Sequence, residues 1–173
     1  MKKLILMTLF SISASSQIYV LAGLDIRNAI VGSEPTNNKS EINFMLQFGM
    51  IGGNTEVSVG YERFEAICFD KMFFSVGHHF PLYGNLFGKE VKTILIPSIE
   101  PSLIGRWGSE WETKSSHLTI GASLALRYEI SHKISIELQC NALPRVDLFA
   151  RYPEAHSGMP FVFSNYFKIL YRL

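Results

Sequence analysis

Residues 117–129 read HLTIGASLALRYE. Leu118, Ile120, Ala122, Leu124, Leu126 and Tyr128 take the even positions, and Thr119, Gly121, Ser123, Ala125, Arg127 and Glu129 the odd ones. Side chains along a strand point alternately to opposite faces, so this spacing gives a strand with one apolar face. A helix would need apolar residues every three or four positions. The same period of two runs through 41–51, where Ile42, Phe44, Leu46, Phe48 and Met50 oppose Glu41, Asn43, Met45, Gln47 and Gly49. Over 133–142 it sets Ile134, Ile136, Leu138, Cys140 and Ala142 against Ser135, Glu137, Gln139 and Asn141. In the first strand Val20, Ala22, Leu24 and Ile26 oppose Tyr19, Gly23, Asp25 and Arg27. Less regular versions near 55–63, 71–80, 90–106 and 160–173 bring the expected count to eight.

The composition limits what such a chain can be. Its 173 residues suit one domain. Charged residues make up 18% and hydrophobic ones 47%, whereas a soluble domain usually carries about 25% charged. Sixteen basic residues against fifteen acidic ones provide no basic field for a nucleic-acid backbone. The apolar content is too high for disorder.

The first sixteen residues, MKKLILMTLFSISASS, read as a cleaved signal peptide. Lys2 and Lys3 form its positive start, Leu4 to Ile12 its apolar core, and Ala14-Ser15-Ser16 its small-residue cleavage site. The apolar run is too short to span a bilayer, which takes about 20 residues. The mature chain is then 17–173, one barrel domain.

Connection lengths alternate. A long loop at 32–40 precedes a tight turn at Gly52-Gly53-Asn54, and a medium loop spans 64–70. A turn near 81–89 (PLYGNLFGK) precedes a loop at 107–116; a tight turn at Ser131-His132 precedes a long loop at 143–159. Transmembrane barrels have short periplasmic turns, longer extracellular loops and both termini on the periplasmic side. The turn at 81–89 is long for that pattern. Pro97 and Pro101 fall four apart in the fifth strand, so their missing N–H groups face the same neighbour. Thinned pairing on one side of that strand is expected.

Which face points inward decides the class. The polar face holds Gly23, Gly49, Gly60, Gly77, Gly121 and several serines, interleaved with charges of both signs. Small residues and pairable ions suit a narrow, crowded interior. Asp25, Arg27, Glu100, Arg127, Glu137 and Lys168 are expected to form an interior polar network. The apolar face suits hydrocarbon. The fold class expected is all-β: an eight-stranded antiparallel up-and-down transmembrane β-barrel with outer-membrane lipids around it.

The chain resembles the small bacterial outer-membrane β-barrel proteins of the OmpX and OmpA-barrel type. The signal peptide, the eight-strand meander and the final FKILYRL carry the resemblance. Phe167, Ile169, Tyr171 and Leu173 alternate up to the last residue, similar to the terminal signal read by the outer-membrane assembly machinery; that family usually ends in Phe, and this chain ends in Leu. The resemblance implies a location in the bacterial cell outer membrane and the assembly machinery as a partner.

Candidate chemistry is thin. His78 and His79 are adjacent on a strand, point to opposite faces and cannot share a metal. His156-Ser157 lies in a loop with no orienting carboxylate, which leaves a nucleophile–base pair without support. No phosphate loop, zinc spacing or dinucleotide fingerprint is present. No catalytic residue, metal site or cofactor is expected. Cys68 and Cys140 fall far apart around the ring, and a disulfide needs Cα atoms within about 7 Å, so both thiols should be unbridged. Trp107 and Trp111, with Tyr61, Tyr128 and Tyr152, are placed as interfacial aromatics.

The reading is a monomeric, non-enzymatic barrel with a filled interior, acting through extracellular loops in adhesion, partner binding or membrane integrity. Two alternatives are a barrel-embedded lipid-modifying hydrolase and a secreted lipocalin-like carrier.

Overall fold

The computed structural model describes residues 16–26, 42–65, 68–86, 89–107, 115–151 and 160–173. The segment read as a signal peptide lies outside them up to residue 15, as do Arg27, Trp111, Tyr152, His156 and Ser157.

The chain is a meander of antiparallel strands. In order they are β1 (Gln17–Asp25), β2 (Phe44–Gly52), β3 (Thr55–Phe64), β4 (Phe69–His78), β5 (Phe80–Leu86), β6 (Lys89–Arg106), β7 (Ser115–Glu129), β8 (Ile134–Pro144) and β9 (Phe161–Arg172). A short helix, α1 (Val146–Arg151), follows β8. Each strand pairs with the next except β4, which pairs with β6 instead of β5, and β1 pairs with β9. The sheet closes into an eight-stranded up-and-down barrel, because β4 and β5 are two parts of one arm. Both run against β6 in a single register, from Phe69↔Arg106 to Gly77↔Ser98 and then from Phe80↔Leu95 to Leu86↔Lys89.

The interruption follows from the prolines. On the β7 side, β6 pairs without a gap from Thr93↔Tyr128 to Arg106↔Ser115. On the other side the ladder passes from Phe73↔Ser102 to Val76↔Ile99, skipping Pro101, and stops at Gly77↔Ser98, next to Pro97. A proline has no N–H to give to a ladder. The thinned pairing expected from the sequence is found, and it breaks the neighbouring arm rather than β6.

One expectation needs correction. Residues 81–89 are not a turn: most of them lie in the arms of a β5–β6 hairpin. Proline and glycine in PLYGNLFGK have the chemistry of a turn, yet Pro81 occupies a strand position opposite Ile94. Pairing of β6 with β7 begins only at Thr93, so the hairpin runs past the barrel rim on the side of the chain termini. That end also carries the tight turns. Gly53 has φ +60° at the first central position of the β2–β3 turn, as a II′ hairpin requires. Ser131 Oγ accepts the N–H groups of Lys133 and Ile134 in the β7–β8 turn.

Burial settles the direction of the faces. Leu118, Ile120, Leu124, Leu126 and Tyr128 are exposed, whereas Thr119, Ser123, Ala125 and Arg127 are buried. β4 shows the same split, with Met72, Phe74 and Val76 outside and Lys71, Phe73 and Ser75 inside. A soluble carrier would have the opposite faces. An outward belt of Ile, Leu, Phe and Val around a charged interior is the surface of a barrel dissolved in lipid.

The interior is also packed by large side chains opposite small ones. A Cβ on Gly49 would collide with the ring of Tyr19, and one on Gly60 with the ring of Phe73. These are cross-strand partners, Tyr19↔Gly49 and Gly60↔Phe73. The glycines make room for the aromatic rings that fill the lumen.

Candidate functional site

The lumen carries the chemistry of this chain. Near the terminal end, Arg127 on β7 is fully buried. Its Nη1 donates to Glu56 Oε2 at 2.7 Å, while Nε and Nη2 donate to Glu137 Oε2 at 2.9 and 2.6 Å. Glu137 is its ladder partner on β8, but Glu56 stands on β3, across the barrel. The guanidinium fork thus bridges the lumen from wall to wall, the planar bidentate geometry that arginine favours.

Glu56 gathers two more neighbours. Tyr19 donates its hydroxyl to Oε1, and His79 Nε2 lies 2.8 Å from Oε2. Lys168 on β9 stands 3.4 Å from Glu137 Oε1 and donates to Gln47 Oε1 at 3.2 Å. Gln47 in turn donates to Ser58. Four strands beside β7 and β8, and the β4–β5 junction, send side chains into this layer: Tyr19 from β1, Gln47 from β2, Glu56 and Ser58 from β3, Lys168 from β9, and His79 from the junction.

A second layer lies toward the other end. Glu62 takes Lys71 Nζ at 2.6 Å, the Tyr166 hydroxyl at 2.6 Å and Asn43 Nδ2 at 2.8 Å. Above it α1 brings Asp147 over the mouth. Arg106 Nε and Arg145 Nη2 each reach Asp147 Oδ2 at 2.7 Å, and both guanidinium groups sit 5.0 Å from the Phe69 ring centroid. Phe64, Phe69, Ile104 and Leu143 form a small apolar plug beneath.

The residues named from the sequence fall as follows. Asp25, Glu100, Arg127, Glu137 and Lys168 are all buried. Arg127, Glu137 and Lys168 meet one another. Glu100 lies elsewhere, accepting from Ser123 Oγ and Gln139 Nε2 at 2.8 Å and from Asn141 Nδ2. Phe167, Ile169, Tyr171 and Leu173 are exposed on the outer face. Trp107 is half-buried under the Arg63 guanidinium, 5.0 Å away, and Tyr61 donates to Asp70 at 2.7 Å on the same outer face. Cys68, at φ +49°, and Cys140 are not joined by a disulfide. His78 points outward against Phe80 while its neighbour His79 is buried. Among the described residues no group of three or more His, Cys, Asp or Glu could hold a metal ion, and no helix is long and apolar enough to cross a membrane.

Glu56, Glu62, Lys71, His79, Tyr19 and Tyr166 were absent from the network read off the sequence. Parity marks every one of them as inward. What it cannot supply is the partner across the lumen.

No protein-family model and no curated protein matches the chain by sequence. Solved structures do resemble it in fold. The N-terminal β-barrel domain of Pseudomonas aeruginosa OprF matches with a TM-score of 0.58 at 8% identity, over 91% of this chain and 97% of that one. The Yersinia pestis outer membrane protein Ail in a phospholipid nanodisc gives 0.49 at 12% identity, over 92% and 100%. Neisserial surface protein A gives 0.43 at 10%, over 91% and 96%. The chain has the fold of a small outer-membrane barrel.

Proposed function

We propose that this chain is a monomeric outer-membrane barrel without a general pore, non-enzymatic, whose activity is carried by the loops at the end opposite its termini. The observation that supports this most directly is the Arg127 bridge from Glu56 to Glu137, which fills the lumen between opposite walls. Eight strands leave space only for side chains or one small ligand, and here side chains occupy it. A path for solutes would have to break buried ion pairs at two levels.

The asymmetry of the ends supports the loop assignment. The terminal end is finished by the Gly53-Asn54 turn, the Ser131 turn and the β5–β6 hairpin. The opposite end carries the connections after β1, β6 and β8. Surface connections on a rigid scaffold are where binding residues concentrate. The loop role is adhesion, partner binding or membrane integrity. Against enzymatic chemistry, His79 is committed to Glu56 rather than to a serine.

Export by a leader ending near Ser16 and recognition of Phe167, Ile169, Tyr171 and Leu173 by the assembly machinery belong to the same proposal. The outward alternation of these four residues supports the second part.

Three measurements test the reading. Fractionation should recover the mature chain, lacking its first sixteen residues, with outer membranes; recovery in a soluble fraction overturns the membrane assignment. The purified protein in planar bilayers should show no sustained porin-like conductance. Replacing the loops at 27–41 and 152–159 by short turns should leave the barrel folded and abolish its surface activity.

A further inference from the structure

Glu100 differs from the other lumen carboxylates with assigned partners. Glu56, Glu62, Glu137 and Asp147 each lie within 4 Å of a cationic side chain. Glu100 is 1% exposed and, among the described residues, forms no ion pair; its partners are Ser123, Gln139 and Asn141, all neutral. A buried ionised carboxylate with only neutral donors is costly unless a counter-charge joins it.

The same cluster holds a complementary deficit. Gln139 Oε1 and Asn141 Oδ1 are buried acceptors without a hydrogen-bond partner. Both belong to the residues whose amide nitrogens contact Glu100. They stand two apart on β8, so they share its inward face, and Asn141 is the ladder partner of Ser123. Asn141 Oδ1 lies 3.7 Å from where a Cβ on Gly121 would be, and Gly121 is the ladder partner of Glu100. One excess anion and two unsatisfied acceptors therefore occupy one stretch of β6, β7 and β8.

From this we infer that Glu100, Gln139, Asn141 and Ser123 form a binding site for one hard monovalent cation of the sodium type. A half-turn of each amide exchanges its nitrogen and oxygen. That turn brings both orphan oxygens to the carboxylate, an arrangement repulsive by itself and attractive around a cation. The donor set is then carboxylate, amide and hydroxyl oxygen, which suits hard ions and not zinc or copper. A single positive charge balances the single carboxylate. A divalent ion would leave a buried surplus.

The test compares the folded barrel in detergent in sodium chloride and in choline chloride at equal ionic strength. Sodium should raise the thermal midpoint of the wild type and broaden its sodium NMR line, and Glu100→Gln should lose both effects. Gln139→Leu keeps the carboxylate and removes one oxygen, so it should weaken the sodium response while still folding. Equal midpoints in the two salts, with no line broadening by the wild type, would overturn the site. So would an undiminished sodium response in Glu100→Gln or Gln139→Leu. A larger response to calcium than to sodium would overturn the monovalent assignment.

Discussion

Leu124 and Ser123 are neighbours in the chain, and their surroundings share almost nothing. Leu124 is half-exposed on the outer belt, while Ser123 is buried and donates to Glu100. The outer face obeys a solvent rule, since any apolar shape serves as long as no charge is left bare in hydrocarbon. The inner face obeys a jigsaw rule, in which volume and charge are fixed by what stands across the lumen. Substitutions can separate these rules.

The largest effect should come from Arg127→Met, which leaves Glu56 and Glu137 buried without their shared cation. Losing one partner of a buried pair costs about 3–5 kcal/mol, read as a fall in unfolding free energy in urea from lipid vesicles. Adding Glu56→Gln should recover part of the loss. Next is Leu124→Arg, which puts a cation against the bilayer interior at a cost of roughly 2–4 kcal/mol. The same assay checks it, and recovery in a thinner bilayer would sharpen it. Ser123→Phe should cost about 1–3 kcal/mol by overpacking, with reduced folding yield as the readout. The smallest effect belongs to Leu124→Phe, within about 0.5 kcal/mol of wild type. A destabilised Leu124→Phe beside a tolerated Ser123→Phe would reverse the two faces and refute the membrane-spanning reading.

Part of this architecture was legible from the chain alone. In β1, β2, β7 and β8 the period of two is unbroken, and those strands sit where the pattern puts them. β4 was less regular because Phe73 points inward beside Lys71 and Ser75, where it fills the space over Gly60. Hydropathy alone marks an inward phenylalanine as an error in the alternation. The β5–β6 hairpin was hidden for a related reason, since proline and glycine signal turns whatever the tertiary setting. The lumen layers were half legible. Parity turns Glu56 and Arg127 inward, but their meeting depends on strand order and stagger around the ring.

Pro97 and Pro101 taught the reverse lesson. Their four-residue spacing foretold that one side of β6 would be gapped, because the missing donor is a covalent fact independent of packing; the structure shows it to be the side of β4 and β5.

The closure between β1 and β9 has a consequence for time rather than form. Every other ladder joins arms adjacent in the chain, β4 and β5 counting as one, and can form as a local hairpin. The seam from Tyr19↔Arg172 to Asp25↔Tyr166 joins the beginning of the barrel to its end. Its loop-closure entropy falls due in one step, and contacts between such distant positions slow folding. Until β9 arrives, the first strand offers a bare row of hydrogen-bonding groups, the kind of edge that recruits foreign strands. Loss of the last few residues would therefore act less like a trimmed terminus than like an unlatched cylinder.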